Sequence, residues 1–327
     1  FKFLKHKALF GEVSYELKDS VTLTLGARTF DQTRDSTTAF TVDVPATNPA
    51  EFSADGDDTL FKAEIEYQLK DDVLVYGLWS EGFRLGDVQP EVSPAARDFP
   101  LCDDNNDGIV DGAGVGLETR SIDSDSVENF ELGGKFGLLD GRLQVNASVY
   151  QIDWENIPVS LSVCGGVAVN AGSAVSRGVE FEASYNLDNA FLVDFGISYN
   201  EAELQDTNSI GNAGDPLPAS PEVSASAGLE YDFDIGNREA FMRTDISYVG
   251  EYYSDIGQVS PEIGGYVKVD LSAGIKLTEQ VDLTFFAQNA TNNDSITTIN
   301  TEFFGFGMLR ASYLKPRTIG AKISIDF

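Results

Sequence analysis

Histidine and cysteine are nearly missing from this chain. One histidine, His6, and two cysteines, Cys102 and Cys164, stand among 327 residues. A histidine-based catalytic centre or a multi-ligand zinc site has little to be built from. Basic residues are also few. Lys and Arg number 22 against 53 Asp and Glu, for a formal net charge of −31. A surface of that sign repels phosphate backbones, so no nucleic acid partner is expected. The excess acid suits solubility in a salty medium, or the capture of cations. No run approaches the roughly 18 apolar residues of a membrane helix. That absence leaves a membrane barrel open, because barrel strands carry only half an apolar pattern. The chain starts at Phe1, without an initiator Met or signal peptide, as a mature or partial chain does.

What is present is alternation. The stretch Ser126–Ile157 reads as two long strands around a tight turn at Leu139-Asp140-Gly141-Arg142. Asp-Gly is a strong hairpin signal because Gly accepts positive φ. In its second strand Leu143, Val145, Ala147 and Val149 alternate with Arg142, Gln144, Asn146 and Ser148. The same pattern predicts hairpins Lys7–Leu17 with Val21–Thr33, Thr59–Leu69 with Val73–Phe83, Ser173–Leu187 with Phe191–Leu204, Pro221–Phe233 with Ala240–Tyr253, and Gly264–Leu277 with Val281–Ala290. A last strand, Pro316–Phe327, puts Ile319, Ala321, Ile323, Ile325 and Phe327 on one side. Short turns alternate strictly with long connections, at about 34–58, 84–125, 158–171, 205–220, 254–263 and 291–315. Aromatics gather near strand ends, as at Tyr15, Tyr67, Phe136, Tyr185, Tyr231 and Phe233.

A soluble sandwich tolerates the alternation, but its strands average about 5–6 residues and it has no such short–long rhythm. A transmembrane antiparallel β-barrel satisfies all three regularities, with apolar residues toward lipid and polar ones toward a wet lumen. In such barrels the short turns are periplasmic and the long loops extracellular. The predicted strands number thirteen, and an odd count leaves the first and last running the same way. Bacterial single-chain barrels have even counts, so the chain is expected to be the C-terminal part of a larger barrel, with the edge of the last strand open or paired to residues before Phe1.

Several motifs resemble one family. Ser80-Glu81-Gly82-Phe83-Arg84 resembles the "SxGFR" strand end of TonB-dependent outer-membrane receptors. Val127–Lys135, with Asn129, Glu131, Leu132 and Gly133, resembles their "NYELGxK" strand, and Tyr150–Ile157 their "YxIDWxxI". Asn170–Ala174 followed by Arg177-Gly178-Val179-Glu180 resembles "NAGxAxxRGVE". Asn289-Ala290-Thr291-Asn292 and the end from Pro316 to Phe327 are similar too. The six run in the family's order across nearly the whole chain. The resemblance implies a 22-stranded barrel filled by an N-terminal plug absent from this sequence, with these strands as the tenth to twenty-second. It implies a bacterial outer-membrane, non-enzymatic receptor for energised uptake of a scarce large solute, such as an iron–siderophore complex. Its partners would be outer-membrane lipid, the solute, the TonB system through the plug, and the assembly machinery that reads a terminal Phe, here Phe327. Two other readings stay open: a passive porin-type channel, and a calcium-binding structural or adhesive surface barrel.

The acidic loop offers a candidate metal site. Cys102–Gly112 contains D-x-N-x-D-G-x-x-D. Asp103, Asn105, Asp107 and Asp111 supply side-chain oxygens and Ile109 a carbonyl, in a spacing that suits Ca²⁺. The bidentate Glu of an EF-hand is lacking, since Gly114 stands in its place; a solvated acidic turn is the other reading. Tyr252, Tyr253, Phe303, Phe304 and Phe306 lie at loop ends, where they can stack on a ligand or pack loop against loop. Glu64 with Glu66, and Glu180 with Glu182, recur at period two and read as lumen wall rather than acid–base pairs. Cys102 and Cys164 fall in separate loops on one side of the barrel, where an oxidising exterior favours a disulfide. Bonded, their Cα atoms lie about 4.4–6.8 Å apart. Non-reducing peptide mapping of the full-length protein should then recover the two cysteine peptides joined; two free thiols would refute the bond.

Overall fold

The computed structural model describes residues 2–38, 50–88, 121–161, 167–170, 172–188, 190–207, 211–258, 260–301 and 309–326. Its strands are β1 (Lys2–Lys18), β2 (Val21–Thr38), β3 (Ala50–Lys70), β4 (Val73–Arg84), β5 (Asp87–Val88), β6 (Ser121–Ile122), β7 (Asp125–Leu138), β8 (Leu143–Glu155), β9 (Pro158–Leu161) and β10 (Val167–Asn170). They continue as β11 (Ala174–Asn186), β12 (Phe191–Leu204), β13 (Val223–Ile235), β14 (Arg238–Val249), β15 (Tyr266–Thr278), β16 (Val281–Gln288), β17 (Ile296–Thr301), β18 (Leu309–Tyr313) and β19 (Thr318–Ile325). The described helix is a single 3₁₀ turn, Ile256–Gln258.

One 13-stranded sheet runs β1-β2-β3-β4-β7-β8-β11-β12-β13-β14-β15-β16-β19. Every pairing in it is antiparallel and joins neighbours in this order. The two-stranded pieces β5–β6, β9–β10 and β17–β18 all lie in the long connections. Among the described residues β1 pairs only with β2, and β19 only with β16. These two edge strands run the same way, as the odd count requires.

Register turns the alternation into two surfaces. Ile65, Gly77, Leu132, Val149, Val179 and Tyr199 stand side by side across six strands. One residue along, Glu64, Leu78, Glu131, Tyr150, Gly178 and Asn200 make the row on the opposite face. The first face is apolar and open: Val13 is 72%, Leu132 63% and Ile323 64% exposed. A surface of that extent greatly exceeds the few hundred Å² of contiguous apolar patch that water-soluble monomers expose. Its solvent is lipid. A ring ladder, Phe191–Tyr231–Phe233, lies on this face at the short-turn end, with centroids 4.5 and 5.3 Å apart. That is where amphipathic rings favour a membrane interface.

The sheet differs from expectation in its upper reaches. β2 continues to Thr38 and β3 begins at Ala50, so much of the predicted 34–58 loop is strand. The polar run there ends the apolar face, not the ladder. Above the membrane water covers both faces, and the backbone pairing continues without them. The predicted loops 84–125, 158–171 and 291–315 each carry a short hairpin of their own. β19 starts at Thr318 rather than Pro316, since proline has no N–H for the ladder. At the central turn the left-handed backbone begins one residue before Asp-Gly: Leu139, Asp140 and Gly141 have φ of 54°, 57° and 81°.

The two faces respond differently to charge. Leu229 on β13 points to lipid between Val193 and Thr244, while Ser226 points to the lumen. Leu229→Arg should cost about 2–4 kcal/mol, the scale for a base deep in the lipid face of a barrel. Ser226→Arg should cost less than about 1 kcal/mol. Reversible urea unfolding in lipid vesicles measures both; equal costs would mean the faces are misassigned.

Candidate functional site

The polar face and the long-loop end form one continuous wet surface, and its side chains are held by a repeated device. Long side chains lie flat across the wall above glycines. Tyr76 on β4 lies over Gly133 on β7, where an added Cβ would meet its ring at 2.5 Å. Its hydroxyl reaches Glu131. Tyr150 on β8 covers Gly178 on β11 in the same way and donates to Asn200 Oδ1 on β12 at 3.2 Å. The Asn200 oxygen also accepts from Ser176, at 2.7 Å. Arg243 on β14 crosses Gly228 on β13. It donates to Asp245 Oδ1 at 2.9 Å and to Asp194 Oδ2 at 3.2 Å, and it pairs with Glu230 at 3.5 Å. Lys62 bridges Glu12 and Glu64 at 3.4 and 2.9 Å. Each of these bases is shared among acids. Glu180 and Glu182 carry no ion pair among the described residues, so the wall keeps its negative character.

A second assembly fixes the mouth. Arg84 ends β4 and Asp125 opens β7, directly opposite each other. Arg84 Nε and Nη2 donate to the two Asp125 oxygens at 2.8 Å each. Trp154 Nε1 of β8 donates to Asp125 Oδ2 at 2.7 Å, and the guanidinium sits 5.7 Å from the Trp154 ring centroid. Asp125 is 5% exposed. A buried carboxylate is stable only when paired and hydrogen-bonded, and here three strands meet that need. Next to it an apolar cluster of Ile157, Val159, Ala174, Leu204, Leu217 and Ile256 packs the loops together, with Trp154 against it. The dry core of the molecule is therefore a cap at the mouth.

Polar side chains tie this cap down. Asn170 donates to the Asn156 and Asp123 carbonyls at 2.7 and 3.2 Å and accepts from Asp123 N–H at 2.8 Å. Gly172 has φ of 86°, and a Cβ there would meet Asp206 Oδ2 at 2.8 Å. Its absence lets Asp206 accept from the Ser173 hydroxyl at 2.7 Å and backbone N–H at 2.8 Å. The hydroxyl first, then the N–H, hold the Asp206 carboxyl below its ordinary pKa. This clasp is fully present above the ordinary value and is lost as pH falls through the lowered one. Buried Asn289 donates to the Asn293 and Lys315 carbonyls at 2.7 and 3.0 Å. It roots the β17–β18 hairpin where it leaves the sheet.

Of the aromatics singled out from sequence, Tyr252 and Tyr253 are described. Tyr252 is half-buried and donates to the Thr297 carbonyl at 2.7 Å. Burial, then Tyr266, pushes its hydroxyl pKa up, so it stays a donor. Its described contact is loop against loop. Tyr253 is half-buried, and its carbonyl accepts from Ala219 N–H at 2.7 Å. Cys102, Asp103, Asn105, Asp107, Ile109, Asp111, Cys164, Phe303, Phe304, Phe306 and Phe327 lie outside the described residues. His6 faces the lumen, with Arg28 Nη2 donating to its Nε2 at 3.0 Å. Sequence reasoning passed over Asp125, Arg243 and Gly228. It quoted Arg84, Asn170 and Asn289 in motifs without giving them a task.

The sheet, its two faces and its cap can be set beside known proteins. The profile of the family described as "TonB dependent receptor-like, beta-barrel" matches residues 4–290. The chain belongs to the TonB-dependent receptor β-barrel family. Members of this family are outer-membrane proteins. The metal-pseudopaline receptor CntO of Pseudomonas aeruginosa is 27% identical over 171 residues, 52% of this chain and 24% of that protein. The ferric yersiniabactin uptake receptor FyuA from Yersinia pestis superposes with a TM-score of 0.78 at 19% identity, over 100% of this chain and 46% of that one. The copper transporter OprC gives 0.75 at 17% identity, over 100% and 50%. The chain thus spans half or less of the length of each.

The Arg84–Asp125–Trp154 lock is open to test. Asp125→Ala should cost about 1–3 kcal/mol, the scale for orphaning buried hydrogen-bond partners. In a Trp79→Phe background, Trp154 should report it as a fluorescence shift toward the exposed-indole position. An unchanged spectrum would show that the lock does not hold the ring.

Proposed function

We propose that this chain is the solute-facing barrel wall and extracellular mouth of a receptor that takes up a scarce, large solute by TonB-dependent transport. The cargo class is a chelated metal, with iron–siderophore complexes foremost. The observation that carries the reading is one continuous polar surface, running from the capped mouth down the lumen wall, on a barrel of this family. Support comes also from similarity to receptors for metal-pseudopaline and ferric yersiniabactin and to a copper transporter. No step of this task is chemical. The wall offers hydrogen-bonding groups at short intervals, and fixed loops place contacts over the opening. Energy coupling through TonB falls to parts of the receptor outside these strands.

The test is uptake of radioactive iron, presented with siderophores from the organism's own medium under iron limitation. Deleting the gene should abolish one siderophore-dependent component, and deleting TonB should abolish the same component. Passage that persists without TonB would mark a passive channel and overturn the reading.

A further inference from the structure

The lipid-facing surface carries a feature that solute uptake does not use. Register assigns an outward residue to every position from β2 to β19. From β4 to β19 only two of those outward residues are basic, whereas β1 presents Lys5 and Lys7 and the bulged end of β3 pairs Lys70 with outward Val73. Of the two, Arg238 sits at a short turn. The other is Arg177 on β11, where the apolar band ends, one step above Val179 and opposite Gln151 of β8. Arg177 Nε donates to Gln151 Oε1 at 3.1 Å, and Gln151 Nε2 is in turn held by the Asp153 carboxylate at 2.9 and 3.0 Å. Both Nη nitrogens are left without a protein acceptor among the described residues. Glu201 stands opposite on β12 but forms no ion pair with it. An exposed guanidinium at the edge of a lipid-facing band, with its fork free, is an unusual use of one of only 22 bases.

Directly beside it the apolar face is notched. A groove of about 660 Å³ runs along the outer side of β3, β4, β7 and β8, lined by Ile65, Gly77, Trp79, Phe130, Leu132 and Gln151. Gly77 forms its floor, because the residues beside it in the register, Ile65 and Leu132, stand proud on either side. The groove lies in the membrane-facing band, so what fills it is apolar and drawn from the bilayer. Its upper end is Gln151, the residue that holds Arg177. All of these strands are interior to the sheet, away from its two edges.

We propose that groove and arginine together form a specific site for a phosphate-bearing, multiply acylated lipid of the membrane's outer leaflet. An acyl chain lies over Gly77 between Trp79 and Leu132. The phosphate accepts from the free Nη groups of Arg177, whose planar fork suits two phosphate oxygens. Asp153 and Glu201 nearby disfavour a bare polyanion, and favour a phosphate already paired with a divalent cation or an amine. The site anchors β4, β7, β8 and β11 on their outer face, several residues along the strands below the Arg84–Asp125–Trp154 lock on the inner face.

The full-length protein, delipidated in mild detergent with magnesium present, is titrated with a phosphorylated, multiply acylated glycolipid and with its phosphate-free counterpart. Native mass spectrometry counts bound lipid. The phosphorylated lipid should bind about tenfold more tightly, the scale of a charge-assisted phosphate contact. Arg177→Gln should erase that preference. Gly77→Ile should weaken both lipids by filling the groove. A Cβ at Gly77 meets only Ile65 Cγ2 at 3.6 Å, so the barrel is expected to survive, and heat-dependent gel migration verifies it. An unmodified protein without preference for phosphate, an Arg177→Gln variant that keeps it, or a groove covered by a second copy of the chain would each overturn the site. None of these readouts involves the transported solute, so failure here leaves the uptake reading standing.

Discussion

Everything in this structure depends on the backbone hydrogen bonds of a sheet immersed in lipid. Hydrocarbon offers no partner to an open N–H or C=O, and each one left unpaired there costs several kcal/mol. Neighbour-to-neighbour antiparallel pairing meets that demand for every interior strand of the sheet. It also makes the side-chain period two. Once one strand has its apolar residues toward lipid, register forces the same choice on the next, because a slip by one residue would turn its whole polar set into the membrane. The hydrophobic effect here selects orientation and register. It does not build a core between layers.

A wall one strand thick needs its own source of rigidity, and the lumen face shows where it lies. Tyr76, Tyr150 and Arg243 each cross a glycine to reach a polar group. A glycine inside a strand gives up β-propensity and packing. Here the covering side chain restores the packing and adds a cross-strand hydrogen bond, in the manner of cross-strand aromatic–glycine pairing. At the mouth the same need is met differently, because loops can fold over one another. There an apolar cluster and buried Asp125 and Asn289 act together.

These two regions were unequally legible in the sequence. Strand identity, the short turns and the outward residues Ile319, Ala321, Ile323 and Ile325 follow from a local period of two, and the structure places them so. Strand ends above the membrane were less legible: apolar alternation stops at the lipid boundary, whereas β2 and β3 continue past it. The mouth was not legible at all. Arg84 and Asp125 are 41 positions apart, and Asn170 meets Asp123 across 47. No local pattern announces such a pairing. Arg243 could be placed on the polar face, but its reach across β13 depends on Gly228 standing beside Asp194 and Asp245 in three-strand register.

The charge of −31 takes on a spatial meaning in this frame. Acids are rare among the outward residues of the apolar band, where desolvation forbids them, and collect on the lumen wall and beyond the band's upper edge. Along β4, β7, β8 and β12 the apolar series ends in the outward acids Glu81, Glu128, Asp153 and Glu201, while β11 ends its series in Arg177. That border is where the medium changes from hydrocarbon to headgroups and water. Exposed acids there are solvated and screened over about 8–10 Å at ordinary salt, so their repulsion is small and sets little of the fold. On the lumen wall the separations are shorter, and Lys62 and Arg243 are each placed between two or three acids. Removing a base from such a group leaves several like charges facing one another. The scarcity of Lys and Arg therefore makes these two shared bases more consequential than their number suggests, and Arg243, which touches acids on three strands, the more so.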